Sequence, residues 1–324
     1  MSPTFVDARP HPRTLPGPKV LAAAALSAAL LTACGSGTGT GAPSPGAPAD
    51  RARATRAAQL LDRFAAAKKT TDPPSLALAP DQLVRQVGDW ETAVGDNDKQ
   101  ALLASHLTSA VALPDADRTG TVVDGTGHRT TTAIMSARDA LASMTSHRTD
   151  CNACTDLQVT RARLTTMQVR TSSGTTTVPA WRFSFAGTAV TVLRVAVPDS
   201  GLVPSAPLTT TSPEPGDGPV VDSFSAGGDA RTLRLHFSGA PDQPGPCGAD
   251  YRAEQYASAT AVVVAVVPIP RKAAAKDQAC PAIAQVRIVD VVLDTPLVAR
   301  TVINLVSGSV VPRTTGQVVG IPVR

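Results

Sequence analysis

The chain has 324 residues, 43% of them hydrophobic, which is enough for two domains with buried cores. Its formal net charge of +4 falls to about +2 once residues 1–33, with three basic residues and one acid, are set aside; so small a balance leaves no electrostatic footprint for nucleic acid. Aromatics make up only 3%, so the cores must be built from Val, Leu and Ala, and Arg outnumbering Lys by 24 to 6 points to a GC-rich genome.

Residues 1–33 read as a signal peptide. Arg9, Arg13 and Lys19 form a basic n-region, and Val20–Ala33 is a run of fourteen residues without charge or proline, too short to cross a bilayer as a helix. The run closes on Leu31-Thr32-Ala33-Cys34, which resembles the lipobox of bacterial lipoproteins. Small side chains before the cysteine suit a narrow protease subsite, and the thiol carries two acyl chains. Two chains anchor stably where one is marginal, at about 0.8 kcal/mol per buried methylene. The competing reading is an ordinary secretory signal with Cys34 as a bystander. The immediate change to Gly-Ser-Gly-Thr-Gly-Thr-Gly-Ala-Pro argues against it, because a lipoprotein needs a flexible tether there. The expected location is the extracytoplasmic face of the cell membrane, with the membrane contacted through the lipid anchor.

After the tether (34–50), residues 51–69 are predicted as a helix with Asp50 as its cap and Ala57, Leu60, Leu61, Phe64 and Ala65 on one side. Its Arg51, Arg53, Arg56, Arg63, Lys68 and Lys69 face either anionic headgroups or solvent. Residues 70–198 are expected to form an α+β domain. In it Trp90 packs inward at a strand end, Asp98–Leu107 and Thr132–Met144 are helices, and the second carries Ile134, Ala137, Leu141 and Met144 on one side. From Leu157 the period becomes two. Leu157–Val169 has two phase changes, read as bulges. Ser172-Ser173-Gly174 and Gly187 are turns joining Val178–Phe185 and Val190–Val197 into an antiparallel β-meander. Residues 199–218, rich in Pro, Gly and Thr, read as a linker. Residues 219–324 read as a small all-β sandwich or barrel-like domain. Its Leu233, Leu235 and Phe237 alternate with Arg234 and outward-facing His236, and Ala259–Val267 is a strand covered on both faces. Val286–Leu293 and Thr301–Val306 follow, with a turn at Gly308.

Besides Cys34 there are four cysteines, an even number that in an exported protein favours disulfides. Sequence order pairs Cys151 with Cys154 and Cys247 with Cys280. In Cys151-Asn152-Ala153-Cys154 a structural staple competes with thiol chemistry, which normally uses a C-x-x-C at a helix N-terminus. Zinc held with His147 would lack a fourth ligand. His106, His128, His147 and His236 read as solvated, and no G-x-S-x-G, S-x-x-K or H-E-x-x-H occurs. Asp115-Ala-Asp117 opens like a calcium loop, but Thr126 stands where a bidentate Glu belongs. Asp96-Asn97-Asp98 reads as an exposed turn or a weak cation site. No catalytic residue, metal site or cofactor is expected. Trp90 and Trp181, the two tryptophans, serve either the core or a carbohydrate platform; Tyr251 and Tyr256 fall on opposite strand faces. Trp181 and Tyr251 are therefore the candidate binding aromatics.

Gly88-Asp-Trp-Glu91, Cys151-x-x-Cys154 with Leu157-x-Val-Thr160, Val178-Pro-Ala-Trp-Arg-Phe183, Cys247-Gly-Ala-Asp-Tyr251 and Leu293-x-x-Pro-Leu297 together resemble a group of uncharacterised actinobacterial (Streptomyces-like) secreted lipoproteins. The resemblance implies that 88–183 form one unit and brings no activity. The expectation is a lipid-anchored envelope protein, not an enzyme, that binds a protein partner or a small ligand outside the cell. The alternatives are an extracytoplasmic thiol-disulfide oxidoreductase using Cys151 and Cys154, and the substrate-binding lipoprotein of an importer.

Overall fold

A computed structural model describes residues 47–71, 76–90, 96–115, 119–151, 154–203, 218–245, 247–271, 280, 283–314 and 321–322. Pro45–Arg324 is one contact unit. Leu31, Thr32, Ala33 and Cys34, most of the tether, Asn152, Ala153 and residues 204–217 of the expected linker lie outside the described residues.

The fold is mixed α+β. Helix α1 (Ala47–Thr70) starts earlier than its apolar period, because Pro48 is tolerated in a first turn. Asp50 is consequently inside the helix, paired with Arg53 and Arg252, and is not its cap. Strand β1 (Leu76–Ala77) is followed by β2 (Val84–Val87), and Trp90 beyond it is half-buried, its indole N–H on Gln86 at 3.0 Å. The next helix, α2 (Asp96–Leu103), is shorter at its end than expected. Ser105 turns the chain with φ 61°, and Leu107 instead starts β3 (Leu107–Ser109), paired with the sixth strand. The hairpin β4 (Thr119–Val123) and β5 (Arg129–Ala133) takes up Thr132 and Ala133, so α3 (Ala137–Thr145) also starts late. Ser136 sets that start, accepting the Asp139 N–H at 3.0 Å as an N-cap.

The meander forms as expected from β6 (Leu157–Thr171), β7 (Gly174–Phe185) and β8 (Thr191–Val195), antiparallel throughout. Burial along β6 changes phase twice, but only the first change, between Val159 and Arg161, is a bulge. At the second, the ladder keeps its register and the buried face is exchanged. Leu157, Val159, Ala162 and Leu164 face a core with α2 and α3, whereas Met167 and Val169 face a second core with Leu76, Leu78, Val195 and Leu202. Because side chains alternate across a strand, a strand covered first on one face and then on the other mimics a bulge in sequence. These strands belong to a seven-stranded sheet that also contains β2 to β5. Beyond it, β9 (Leu202–Val203) pairs in parallel with β1, so the start of the segment read as a linker is buried.

Two further sheets face each other. One is ordered β10 (Val221–Ala226), β11 (Thr232–Gly239), β14 (Gln285–Val292), β16 (Ile321–Pro322); the other is β12 (Ala249–Ala257), β13 (Ala261–Pro270), β15 (Thr301–Asn304). Phe224, Leu233, Leu235 and Phe237 pack on Val262, Val264 and Val266 between them. The other face of β13 carries Ala261, Val263 and Ala265 under Ala57, Leu60 and Phe64 of α1. The Val/Ala run is therefore covered on both sides, by a sheet and by a helix. His236 corrects the sequence reading: it is buried, closed in by cross-strand Ser223 and Ile288, with Ser225 Oγ 3.3 Å from Nε2. Burial holds its pKa below the ordinary histidine value.

Helix α1 is also fixed by charge. Arg53, 7% exposed, donates from Nε and Nη2 to Glu254 at 2.9 and 3.1 Å, and Tyr256 donates to the same carboxylate at 2.8 Å. Burial works against ionised Glu254, but the hydrogen bonds from Arg53 and Tyr256 outweigh it and hold its pKa below the usual glutamate value. Burial and the bond to Glu254 push the Tyr256 phenol up to about 12.

Both predicted disulfides are present, with Cα–Cα distances of 5.7 Å for Cys151–Cys154 and 5.3 Å for Cys247–Cys280. The second closes the open end of the β12–β13 hairpin. Loop-closure entropy predicts that Cys247→Ser with Cys280→Ser lowers unfolding free energy by about 3.5–4 kcal/mol, and Cys151→Ser with Cys154→Ser by about 2 kcal/mol, measured by urea titration. A depressed carboxylate stabilises above its unfolded pKa, and that contribution is lost as pH falls through the lowered folded value. Glu254→Gln should therefore flatten the decline of stability below the usual glutamate range in acid titrations monitored by circular dichroism.

Candidate functional site

The best-built cleft grows from a tight hairpin. Asp124-Gly-Thr-Gly-His128 joins β4 to β5, with Gly127 at φ +88°, a backbone conformation that favours glycine. Asp124 Oδ1 accepts three hydrogen bonds: Thr126 N at 2.9 Å, Thr126 Oγ1 at 2.7 Å and His128 N at 3.0 Å. The Thr126 hydroxyl and amide together hold its pKa below the ordinary aspartate value. The hairpin lies close against the β6–β7 turn, where a Cβ on Gly125 would come within 3.2 Å of Ser173 O.

That turn is locked to β15. Ser172 Oγ accepts the Val302 N–H at 3.0 Å and donates to Val311 O at 3.0 Å, and Thr171 O accepts the Arg313 N–H at 2.8 Å. Between these parts lies a cavity of about 210 Å³, lined by Lys68, Asp124, His128, Thr130, Ser173 and Thr301 over a floor that includes Leu76, Ala77 and Val122. Its rim at Ala299 adjoins Val298, a β-branched residue at φ 46° that is 82% exposed. Such a backbone persists only when its surroundings hold it. Here Arg300 donates to Thr295 O at 2.6 Å and Pro296 O at 2.7 Å, clamping the loop. A second groove of about 390 Å³ lies beside β6, but its Gln82 is spent on Asp81 and on the backbone N–H of Arg170, and its Arg85 on Gln168 O.

The residues singled out from sequence lie elsewhere. Cys151–Cys154 follows the C-terminal end of α3, and Cys154 packs on the core with α2. Bonds to α2 and the turn after it flank the ring: Thr155 N donates to Asn97 at 2.9 Å, and His106 contacts Thr149 O at 2.9 Å and Asp156 at 3.2 Å. His106 is thus engaged and mostly covered, not solvated. Asn97, read as an exposed turn, is part of this clasp. His147 is exposed. Trp181 is 4% exposed in the core and its indole donates to Met135 O at 2.9 Å. Tyr251 is also in the core, its hydroxyl accepting the Ala240 N–H at 2.6 Å and its ring against Phe237; Tyr256 lies on the opposite face. Neither Trp181 nor Tyr251 lines the cleft. Among the described residues, no group of three His, Cys, Asp or Glu side chains could hold a metal ion, and no helix is long and apolar enough to cross a membrane.

Sequence reasoning saw Lys68 only as part of a basic helix face and His128 only as a turn neighbour, and passed over Asp124. The Asp-Gly-Thr-Gly hairpin signature was available, but nothing local reveals that it meets α1 and residues 299–301. No family model matches the chain, and no curated protein or solved structure matches it significantly.

The surroundings of Tyr251 include one charge that forms no ion pair among the described residues. Arg287 is fully buried, with its guanidinium carbon 5.5 Å from the Tyr251 ring centre; Nη1 donates to Ala240 O at 2.7 Å, while Nε and Nη2 meet no acceptor among the described residues. A buried cation without a carboxylate costs several kcal/mol. Arg287→Met should raise unfolding free energy in urea by about 1 kcal/mol or more. A loss of similar size would overturn the reading of this charge as a net cost.

Proposed function

We propose that this chain is a lipid-anchored, extracytoplasmic envelope protein, similar to actinobacterial lipoproteins, that binds a small ligand in the cleft between the β4–β5 hairpin and residues 299–301 without chemically altering it. In this reading an α+β part spans 70–198 and a β sandwich 219–324, with α1 docked on the latter. The observation that carries the anchor is cysteine arithmetic. Of five cysteines, four are spent in two bridges that suit an oxidising compartment, which leaves Cys34, placed at the end of the apolar leader, for acylation. Cleft position supports binding, since small-molecule sites favour junctions between packed substructures with a few convergent polar groups. The thiol oxidoreductase reading has less support, because Cys151 lies six residues beyond the end of α3 and not in the first turn of a helix, where the dipole would favour a thiolate.

Expression of the full chain in an actinobacterial host with labelled palmitate should give a labelled, membrane-bound product, and Cys34→Ala should be unlabelled. A wild-type product that takes up no label would overturn the anchor. Binding is tested by a thermal-shift screen of small polar metabolites. Shifts are expected to vanish when Ser173→Trp fills the cleft, and shifts that survive it would place the site elsewhere.

A further inference from the structure

Building on the reading of this cleft as a ligand site, we infer that it takes a small zwitterion of free amino-acid size, its carboxylate on Lys68 and its ammonium group on Asp124. The cleft contains opposite charges that do not pair: Lys68, in the last turn of α1, and Asp124, at the head of the β4–β5 hairpin, both line it, and neither forms an ion pair within the described residues. Local structure fixes Asp124 rigidly. Its Oδ1 is used by three donors from Thr126 and His128, which leaves Oδ2 outside those bonds as the carboxylate oxygen open to a further donor. Ionised Asp124 is favoured by those same bonds.

The remaining lining narrows the class. Thr171 and Ser172 use their hydroxyls internally, on Gly174 O and Val311 O, and Thr130 Oγ1 lies 3.4 Å from His128 Nδ1, so Ser173 and Thr301 are left to contact polar substituents. Leu76, Ala77, Val122 and Ala299 supply an apolar surface for a short aliphatic part. A volume of about 210 Å³ is on the scale of a small metabolite such as an amino acid. An inorganic anion would meet Lys68 but be repelled by Asp124. A divalent cation would find one carboxylate where it needs several oxygen ligands. An uncharged sugar could hydrogen-bond to both side chains but would neutralise neither charge, and it would find no Trp, Tyr or Phe face among the lining residues.

The test is isothermal titration of the detergent-solubilised full chain with L-alanine, L-serine and L-glutamate, alongside N-acetyl-L-alanine, L-alaninamide, glucose and inorganic phosphate. At least one free amino acid is expected to bind, and blocking its ammonium or carboxylate should weaken binding at least tenfold. Lys68→Met should weaken the free amino acid at least tenfold and abolish the penalty for the amide, with partial rescue by Lys68→Arg; Asp124→Asn should do the same for the N-acetyl form. Blocked forms that bind as well as the parent would overturn the zwitterion assignment. Glucose or phosphate binding that Ser173→Trp abolishes would overturn the assignment and leave the cleft as a binding site. No heat from any compound would overturn the assignment, and a metabolite screen silent as well would remove the binding reading with it.

Discussion

Strand β13 must be apolar on both faces, because it is the shared wall of two cores. Val262, Val264 and Val266 fill the space between the facing sheets, and Ala261, Val263 and Ala265 receive Leu60 and Phe64 from α1. The strand residues on the helix side, two alanines and a valine, are smaller than the Leu60 and Phe64 that pack on them. Burial of this kind stabilises by roughly 1.5–3 kcal/mol per large side chain, and it is non-directional. The Arg53–Glu254 pair supplies direction, fixing how far along the strand the helix sits. Lys68 reaches the cleft from the end of that helix, so the position of one wall of the cleft is set by contacts made four to fifteen residues earlier in the chain.

A hydroxyl provides the complementary constraint on the other side. Ser172 satisfies Val302 N and Val311 O at once, so the β6–β7 turn cannot leave β15 without leaving two buried backbone groups unpaired. With the turn seated, Gly125 must remain small for the hairpin carrying Asp124 to approach. Hydrogen bonds thus fix the β6–β7 turn and the hairpin, and the clamp of Arg300 on neighbouring carbonyls holds the strained rim at Val298.

Legibility in the sequence followed the locality of the signal. The β13 run, the alternation in β7 and β11, the turns at Gly174 and Gly187, and both cysteine pairs were readable because each rests on period, turn chemistry or simple counting. Helix ends were misplaced where a strand partner competed for the same residues: Leu107 goes to β6, and Thr132 and Ala133 go to the β4–β5 hairpin. His236 alternates with apolar neighbours and so reads as outward. Alternation says which face a residue occupies, not whether that face is later covered. The same limit produced the false second bulge in β6.

The sequence by itself determined the α+β character, the strands and turns of the meander, the doubly covered strand and the disulfide partners, because these depend on residues close in the chain or on pairs that few combinations allow. Only the tertiary structure decided that Trp181 and Tyr251 are core residues, that Arg53 is buried against Glu254, and that Lys68, Asp124 and Thr301 line one cavity. Those three residues are separated by scores of positions and carry no shared pattern. Their meeting follows from how sheets and helix pack, and packing is a property of the whole chain at once.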